Sequence, residues 1–303
     1  MKLSGVIIPS LTPMQATGQR LNLAAIEPLV GFLVSCGVHG LFVGGTTGEG
    51  PLLTSGERKE QAEAVIAAVA RRLPVIVQVG STSTRESMAL ARHAVTASAD
   101  AVACMTPTFF AYSDAELERF FLDVARAAAP LEFYLYNIPA RTGNALSAAL
   151  ARRLACEANV VGIKDSSGDM AHLLELLAIP DFTVVIGADL LATLAFQAGA
   201  TGMVSGPAGV MPEPYTALWK AHEKNDLAAM SYWQGVIMKI SRLVHHGGRI
   251  DVLKALITRR IPEMGGVRPP QSPTSSEELE AIRGGLKSIL QETPLQPEAY
   301  AWL

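Results

Sequence analysis

Eight short apolar runs, separated by longer amphipathic segments, constrain the fold of this chain more than any other feature. Most of them consist only of apolar residues and glycine, for example VIIP, LFVGG and AVACM. Continuous runs of this length are typical of strands that are buried on both faces, as in a parallel sheet. The predicted strands span residues 5–13, 40–48, 75–80, 101–107, 132–139, 160–167, 183–189 and 201–209.

The segments between these strands carry apolar residues at helical spacing. Asn22 is the predicted N-cap of the first helix. Thr54 with Glu57, and Ser113 with Glu116, match the capping box that opens many helices. The clearest predicted helices span residues 22–36, 55–71, 84–98 and 113–128.

A strand followed by a helix, repeated eight times, predicts an α/β fold of the (β/α)8 TIM barrel type. Such a barrel takes roughly 250 residues, so the 303 residues present hold one barrel and a helical appendage. An open doubly wound sheet is the alternative, but the G-x-G-x-x-G pattern that often follows its first strand is missing.

The alternation of strand and helix stops near Pro212. We expect residues 1–212 to form the barrel and residues 213–303 to form the last barrel helix and a C-terminal helical extension. Further helices are predicted at residues 213–224, 227–244, 251–260 and 275–290.

Composition limits the location and the partners of the protein. The formal net charge of −3 predicts no basic face for nucleic acid. Cys36, Cys104 and Cys156 lie among apolar residues and are expected to be buried free thiols of a reducing cytoplasm. Neither a signal peptide nor the roughly 20 apolar residues of a membrane span are recognised. We therefore expect a cytoplasmic protein.

Lys164 closes the sixth predicted strand, VVGIK, and is the only lysine between Lys59 and Lys220. Lysine is rarely buried, so this position has two explanations. One is a buried ion pair with Asp165 or a neighbour, and the other is an amine that attacks a carbonyl carbon. Functional groups of such barrels lie at the C-terminal ends of strands, which favours the second explanation.

Tyr134 and Tyr136 share one face of the fifth predicted strand, since side chains alternate along a strand. Tyr136 is nearer the strand end, where its hydroxyl could reach a reaction centre, although a core tyrosine fits the same pattern. Arg141 follows in the loop and offers a planar cation suited to a carboxylate. An exposed loop arginine without a function is the alternative for Arg141.

The loop after the second predicted strand, GGTTGEG, contains Thr46 and Thr47. Its glycines let the backbone approach a ligand, and successive N–H groups can bind an anion. The two hydroxyl groups add donors. A tight turn would use the same residues, so this loop alone is a weak signal.

The pair His245 and His246 lies among the C-terminal helices, and no set of metal ligands accompanies it. We expect both side chains to be solvated or to cap a helix. A metal-dependent mechanism would need a ligand set that the sequence does not contain.

Taken together, these motifs resemble the dihydrodipicolinate synthase and N-acetylneuraminate lyase family of class I aldolases. The resemblance runs from GVIIP at 5–9 to VRPP at 267–270, and its most specific parts are GTTGE at 45–49, YNIPARTG at 136–143 and GIKDS at 162–166. It implies a Schiff-base lyase that acts on pyruvate or another 2-keto acid. It also implies no cofactor, no metal and a homotetramer built from two tight dimers.

The resemblance assigns a role to each candidate residue. Lys164 would form an imine with the 2-keto carbon, and Tyr136 would move protons during imine formation and carbon–carbon bond cleavage. Thr46 and Thr47 would hold the substrate carboxylate, with the relay hydroxyl assigned to Thr47. The backbone carbonyl of Val204 matches one that lines the pocket in relatives.

Two positions bear on the substrate. In synthases that make dihydrodipicolinate, a tyrosine from the neighbouring subunit completes a proton relay, and the matching position here is Phe109, which has no hydroxyl. The presence of Arg141 favours a synthase function, because the matching arginine of those synthases binds the carboxylate of aspartate semialdehyde. We expect a 2-keto-3-deoxy sugar acid aldolase or dehydratase, with the synthase as the alternative. A non-catalytic protein that binds keto acids is the alternative of another class.

Overall fold

Eight parallel strands close into a barrel in the computed structural model, which describes residues 3–303. Each strand pairs with the next, and the last pairs with the first. This closure confirms the predicted (β/α)8 barrel and excludes the open sheet. The strands are β1 (Gly5–Pro9), β2 (Gly40–Val43), β3 (Val75–Gln78), β4 (Ala101–Met105), β5 (Glu132–Asn137), β6 (Val160–Asp165), β7 (Thr183–Ile186) and β8 (Gly202–Val204).

Helices surround the barrel and continue beyond it. The connection after β5 contains a single helical turn before its helix, and three helices follow the one after β8. In chain order they are α1 (Ile26–Ser35), α2 (Ser55–Val69), α3 (Thr84–Thr96), α4 (Asp114–Ala128), α5 (Pro139–Thr142), α6 (Ala148–Leu154), α7 (Met170–Leu177), α8 (Ala192–Ala198), α9 (Pro212–Glu223), α10 (Leu227–Leu243), α11 (Ile250–Ile257) and α12 (Ser276–Gln291).

The predicted helix starts are confirmed in two cases and wrong in one. Both capping boxes form at Thr54 and Ser113, each with the glutamate three residues on. Asn22 does not cap α1, which begins at Ile26 after a turn of 3-10 helix. Its side-chain amide instead donates to the carbonyl of Glu263, 2.8 Å away. The side chain of Asn22 therefore bonds to a residue far along the chain and not, as the local sequence pattern had predicted, to the start of the helix.

The strands bury their two faces against different partners. Ile7, Tyr134 and Val185 point into the barrel, where they form a small apolar core. Their neighbours point outward and pack with the helices in one large core. Gly162 leaves space for this interior, since a Cβ there would lie 2.8 Å from Cε1 of Tyr134. Tyr134 and Tyr136 both belong to the interior, which confirms that they share a face.

The C-terminal helices pack on the barrel and share its outer core. Ile240 of α10, Leu256 of α11 and Leu286 of α12 are fully buried in that core. The predicted division between residues 212 and 213 falls one residue after the start of α9, and it stays a prediction.

The three thiols differ in burial and form no disulfide. Cys104 is buried and Cys36 is half-buried, whereas Cys156 is exposed, so the expectation of three buried thiols is wrong for Cys156. Within residues 3–303, no helix combines the length and the apolar character needed to cross a membrane.

Candidate active site

Lys164 and Tyr136 lie side by side because the register of β5 and β6 pairs them directly. Both side chains point into the barrel at the C-terminal ends of their strands, where only 5% and 2% of each residue is exposed. This end of the barrel is where enzymes with this fold place their functional groups. The structure therefore places the predicted lysine and tyrosine together at that end.

The ammonium group of Lys164 contacts two aromatic rings. Its Nζ lies 4.0 Å from the ring centre of Tyr136 and 4.3 Å from that of Phe42. Asp165 points to the outside of the barrel, where its carboxylate accepts hydrogen bonds of 2.7 Å from Asn137 and 2.7 Å from Ser167. In the described part of the chain Lys164 takes part in no ion pair. The explanation of Lys164 as half of a buried ion pair is therefore wrong.

The loop between β2 and α2 brings Thr46 and Thr47 to the same end of the barrel. The Oγ1 of Thr46 lies 3.4 Å from the hydroxyl of Tyr136. The Oγ1 of Thr47 faces β8 instead, 3.2 Å from where a Cβ of Gly206 would lie. The hydroxyl next to Tyr136 thus belongs to Thr46, which corrects the assignment of the relay hydroxyl to Thr47.

Arg141 lies on α5 at the mouth of the barrel. Its side chain is exposed, and no carboxylate within residues 3–303 forms an ion pair with it. The loop that carries it is held firmly, because Thr106 donates to Thr142 over 2.7 Å and Asn144 donates to the carbonyls of Pro107 and Phe110. A guanidinium on a firmly held loop, without an anionic partner among residues 3–303, can bind an anionic or hydroxylated ligand.

All six predicted site residues line one cavity of about 350 Å³. They are Lys164, Tyr136, Thr46, Thr47, Arg141 and Val204. The sequence analysis did not predict the remaining lining residues as part of the site, and they are Pro9, Ile138, Ala140, Ser166, Gly187, Gly206, His246, Gly247 and Gly248. For Ser166 the signal was present, because it follows Lys164 in the GIKDS motif.

His246 is the clearest residue that the sequence analysis missed. It was expected to be solvated or to cap a helix, but it lines the cavity. A second cavity of about 300 Å³ adjoins the first and shares His246, Gly187 and Gly206 with it.

Asp189 lines this second cavity and is otherwise buried. Burial raises the pKa of its carboxyl group to about 6, although hydrogen bonds from Ser205 (2.9 Å) and Tyr215 (3.0 Å) oppose the shift.

Phe109 lies outside the cavity, on the loop between β4 and α4. It is 88% exposed, with a left-handed φ of 82°. Phe110 is 64% exposed, and the two rings pack edge to face with centres 4.9 Å apart.

The described residues contain no group of three or more His, Cys, Asp or Glu side chains arranged to hold a metal ion. The chemistry that the cavity offers rests on an amine, a phenol, two threonines and a guanidinium. A closed barrel with a buried lysine at its catalytic end fits the class of enzymes in which a lysine amine is the nucleophile.

Comparison with known proteins identifies the family within this class. The model of the Dihydrodipicolinate synthetase family matches residues 2–289. The chain belongs to this family, and the resemblance expected from its three motifs is confirmed.

Relatives of known sequence and structure agree with this assignment. YagE of Escherichia coli, named as a candidate 2-dehydro-3-deoxy-D-gluconate aldolase, is 34% identical over 302 residues, which cover 96% of this chain and 97% of YagE. An uncharacterized DapA-like lyase of Halobacterium salinarum is 32% identical over 288 residues, 95% of this chain and 94% of its own.

Solved structures give the same result. The structure of YagE with pyruvate matches with a TM-score of 0.89 at 32% identity, covering 95% of this chain and 98% of YagE. The sialic acid aldolase of Ruminococcus gnavus matches with a TM-score of 0.90 at 27% identity, covering 96% and 98% of the two chains. The chain is an enzyme of the lyase class, which removes the non-catalytic binding protein as an alternative.

Proposed function

We propose that this protein is a Schiff-base lyase that cleaves a 2-keto-3-deoxy sugar acid, or a related 2-keto acid, and releases pyruvate. The observation that carries the proposal is the position of Lys164. Its amine is buried between two aromatic rings at the catalytic end of the barrel and has no carboxylate partner in the described residues. A lysine in that setting serves as a nucleophile towards a carbonyl carbon.

The reaction begins at the amine of Lys164, which adds to C2 of the substrate. Loss of one water from the carbinolamine leaves a protonated imine. A base then removes the proton of the C4 hydroxyl, the C3–C4 bond breaks, and its electron pair moves into the imine to give an enamine and a free aldehyde. The enamine takes a proton at C3, and water hydrolyses the resulting imine to release pyruvate and the amine.

The hydroxyl of Tyr136 moves these protons, because it lies beside Lys164 in the strand register and contacts Thr46 at 3.4 Å. Thr46 and Thr47 hold the carboxylate of the keto acid, and the carbonyl of Val204 on β8 lines another wall of the cavity. Arg141 binds the distal part of the substrate at the cavity mouth.

A sugar acid substrate is favoured over aspartate semialdehyde. Phe109 supplies no hydroxyl for the relay of the synthases, and its ring lies outside the cavity of its own chain. Both YagE, named for a 2-dehydro-3-deoxy-D-gluconate substrate, and the sialic acid aldolase act on keto acids with long hydroxylated chains according to their names.

A substrate screen tests this proposal. Pyruvate release is measured for a set of 2-keto-3-deoxy sugar acids, and condensation of pyruvate with aspartate semialdehyde is measured beside it. We expect pyruvate release from at least one sugar acid and no comparable condensation. Efficient condensation without pyruvate release would make the protein a synthase.

The assembly and the location belong to the same proposal. We infer a homotetramer from the family resemblance, and the exposed pair of Phe109 and Phe110 supports a subunit contact at this loop, because such a pair is unusual for a surface that faces water. The free thiols of Cys36, Cys104 and Cys156 support a reducing compartment such as the cytoplasm.

A further inference from the structure

A turn that follows α10 places His246 in the lining that the two cavities share. His245 and His246 both have left-handed φ values, 52° and 55°, and Gly247 continues the turn at 70°. Two consecutive non-glycine residues in this conformation cost free energy, and such strain persists where the surrounding structure holds it. The turn sends the two imidazole rings in different directions.

His245 points to the outer surface, where its Nε2 lies 3.7 Å from the carboxylate of Glu278 on α12. His246 points to the barrel and lines both cavities. Its Nδ1 lies 3.2 Å from the hydroxyl of Ser241, which is 1% exposed. Whichever of these two atoms donates, the contact fixes the ring and leaves Nε2 as the nitrogen that can bind a ligand.

The rest of the turn keeps the cavity open next to this ring. Gly247 and Gly248 both line the catalytic cavity and contribute no side chain. A Cβ at Gly248 would lie 3.3 Å from Nη2 of Arg141, so the backbone of the turn lies directly against that guanidinium. His246 and Arg141 therefore border the same part of the cavity, at its outer end.

We propose that His246 is a specificity-determining residue, whose Nε2 forms a hydrogen bond with a hydroxyl group on the substrate chain beyond C4. This inference rests on the proposed function, because it assumes that the keto end of the substrate reaches Lys164. The catalytic cavity of about 350 Å³ and the adjoining one of about 300 Å³ share His246, Gly187 and Gly206 in their linings, so a substrate chain of several carbons that extends from Lys164 towards the second cavity passes His246. The substrate class is then a 2-keto acid with hydroxyl groups on that extension.

Two substitutions at His246 separate the hydrogen bond from the packing of the ring. His246→Asn keeps a polar atom near the position of Nδ1, tolerates a left-handed φ and removes the group at Nε2. His246→Gln returns an amide near the position of Nε2. His245→Asn is the matched control, since it makes the same change at the adjacent residue with nearly the same φ.

The measured quantity is the ratio of kcat/KM for a hydroxylated 2-keto-3-deoxy sugar acid to that for 4-hydroxy-2-ketobutanoate, which lacks the extended chain. The loss of one hydrogen bond corresponds to a fall of about threefold to tenfold in this ratio for His246→Asn. His246→Gln should recover most of the ratio, and His245→Asn should leave it near that of the parent.

An unchanged ratio in His246→Asn, or an equal fall in His245→Asn, would overturn the assignment of His246. Release of pyruvate from the sugar acid by the parent enzyme separates this outcome from a failure of the proposed function. If the parent releases no pyruvate from any 2-keto-3-deoxy sugar acid, the proposed function and the inference both fail. If the parent releases pyruvate and the ratio does not change in His246→Asn, the role of His246 alone is wrong.

Discussion

The hydroxyl of Tyr136 is the group best placed to move protons near Lys164. The variant Tyr136→Phe should lose turnover by roughly 10²–10⁴-fold, the range for a positioned proton-transfer group. Its thermal stability should change little, because the ring still packs edge to face on Phe42, 5.6 Å away.

Tyr134→Phe is the control for this prediction. Tyr134 lies on the same face of β5, two residues earlier, and does not line the cavity. Steady-state kinetics of the two variants should therefore differ sharply. Turnover of Tyr136→Phe close to that of the parent would mean that another group moves the protons.

Asp189 makes the stability of the protein depend on pH in a predictable direction. Its pKa is raised by burial to about 6 from a usual value of 3.8, so the native state binds this proton more tightly than the unfolded chain. Between about pH 4 and pH 6 its contribution to stability falls as the pH rises, and above that range it stays unfavourable. Asp189→Asn keeps an acceptor for Ser205 and Tyr215 and removes the charge.

The free energy of unfolding of Asp189→Asn, relative to the parent, should therefore increase from pH 4 to pH 6 by up to about 3 kcal/mol. Denaturant titrations at several pH values measure it. Asp181→Asn, which removes an exposed carboxylate, is the matched control. A difference between Asp189→Asn and the parent that does not change with pH would show that Asp189 is not responsible.

Site residues could be predicted from the sequence where the amino-acid type is unusual for its position in the fold. A lysine at the end of an apolar strand and a tyrosine on the inward face of its neighbour are examples, and Lys164 and Tyr136 lie together as expected. His246 could not be predicted, because its direction depends on a left-handed turn. The contact of Thr46, and not Thr47, with Tyr136 depends likewise on loop geometry that spacing does not fix.

The loop that carries Thr46 and Thr47 is fixed by the C-terminal extension. Glu49 of this loop is buried and forms an ion pair of 2.5 Å with Lys254 of α11. Its carboxylate also accepts the backbone N–H of Arg268 at 2.7 Å, and Lys254 donates to the carbonyl of Gly266 at 2.8 Å. The extension therefore holds one wall of the cavity in place.

Removal of one partner leaves the other charge buried and unpaired. Lys254→Met should therefore lower the free energy of unfolding by about 3–5 kcal/mol, and it should raise the KM for the keto acid as the loop loosens. The double variant Glu49→Gln/Lys254→Met removes both charges and should recover part of the stability. Chemical denaturation and steady-state kinetics measure both effects. A stability of Lys254→Met equal to that of the parent would show that the pair does not hold the loop.

At the level of whole elements, the order and the type of strands and helices could be predicted, but their ends could not. The second strand was predicted to reach residue 48 and ends at Val43. The residues that follow, two glycines and then Thr46 and Thr47, are small but leave the ladder to form the loop of the site. Helix starts that depend only on neighbouring residues, such as the capping box at Thr54, were predicted correctly. Asn22 was predicted wrongly, because its side chain forms a hydrogen bond with Glu263, far along the chain.

An exposed apolar patch on the surface of the molecule predicts a contact between subunits. Phe109 and Phe110 lie together on an exposed loop, and full burial of a phenylalanine side chain contributes roughly 1.5–3 kcal/mol. The double variant Phe109→Ser/Phe110→Ser should therefore shift the expected tetramer to smaller species. Sedimentation velocity measures the change. Leu174→Ser is the control, because it replaces another exposed apolar side chain, with 51% of the leucine accessible to solvent. An unchanged mass for the double variant would place the subunit contacts elsewhere.

The proposed function depends above all on Lys164 as the residue that forms the imine with the keto acid. Incubation with pyruvate and borohydride, followed by mass spectrometry of the intact chain and of its peptides, is the most direct test of this role. We expect one reduced pyruvyl group for each chain, located on Lys164. We also expect no adduct in Lys164→Ala and a full adduct in Lys220→Ala, which removes an exposed lysine. An adduct that persists in Lys164→Ala, or that maps to Lys254, would show that Lys164 does not have this role.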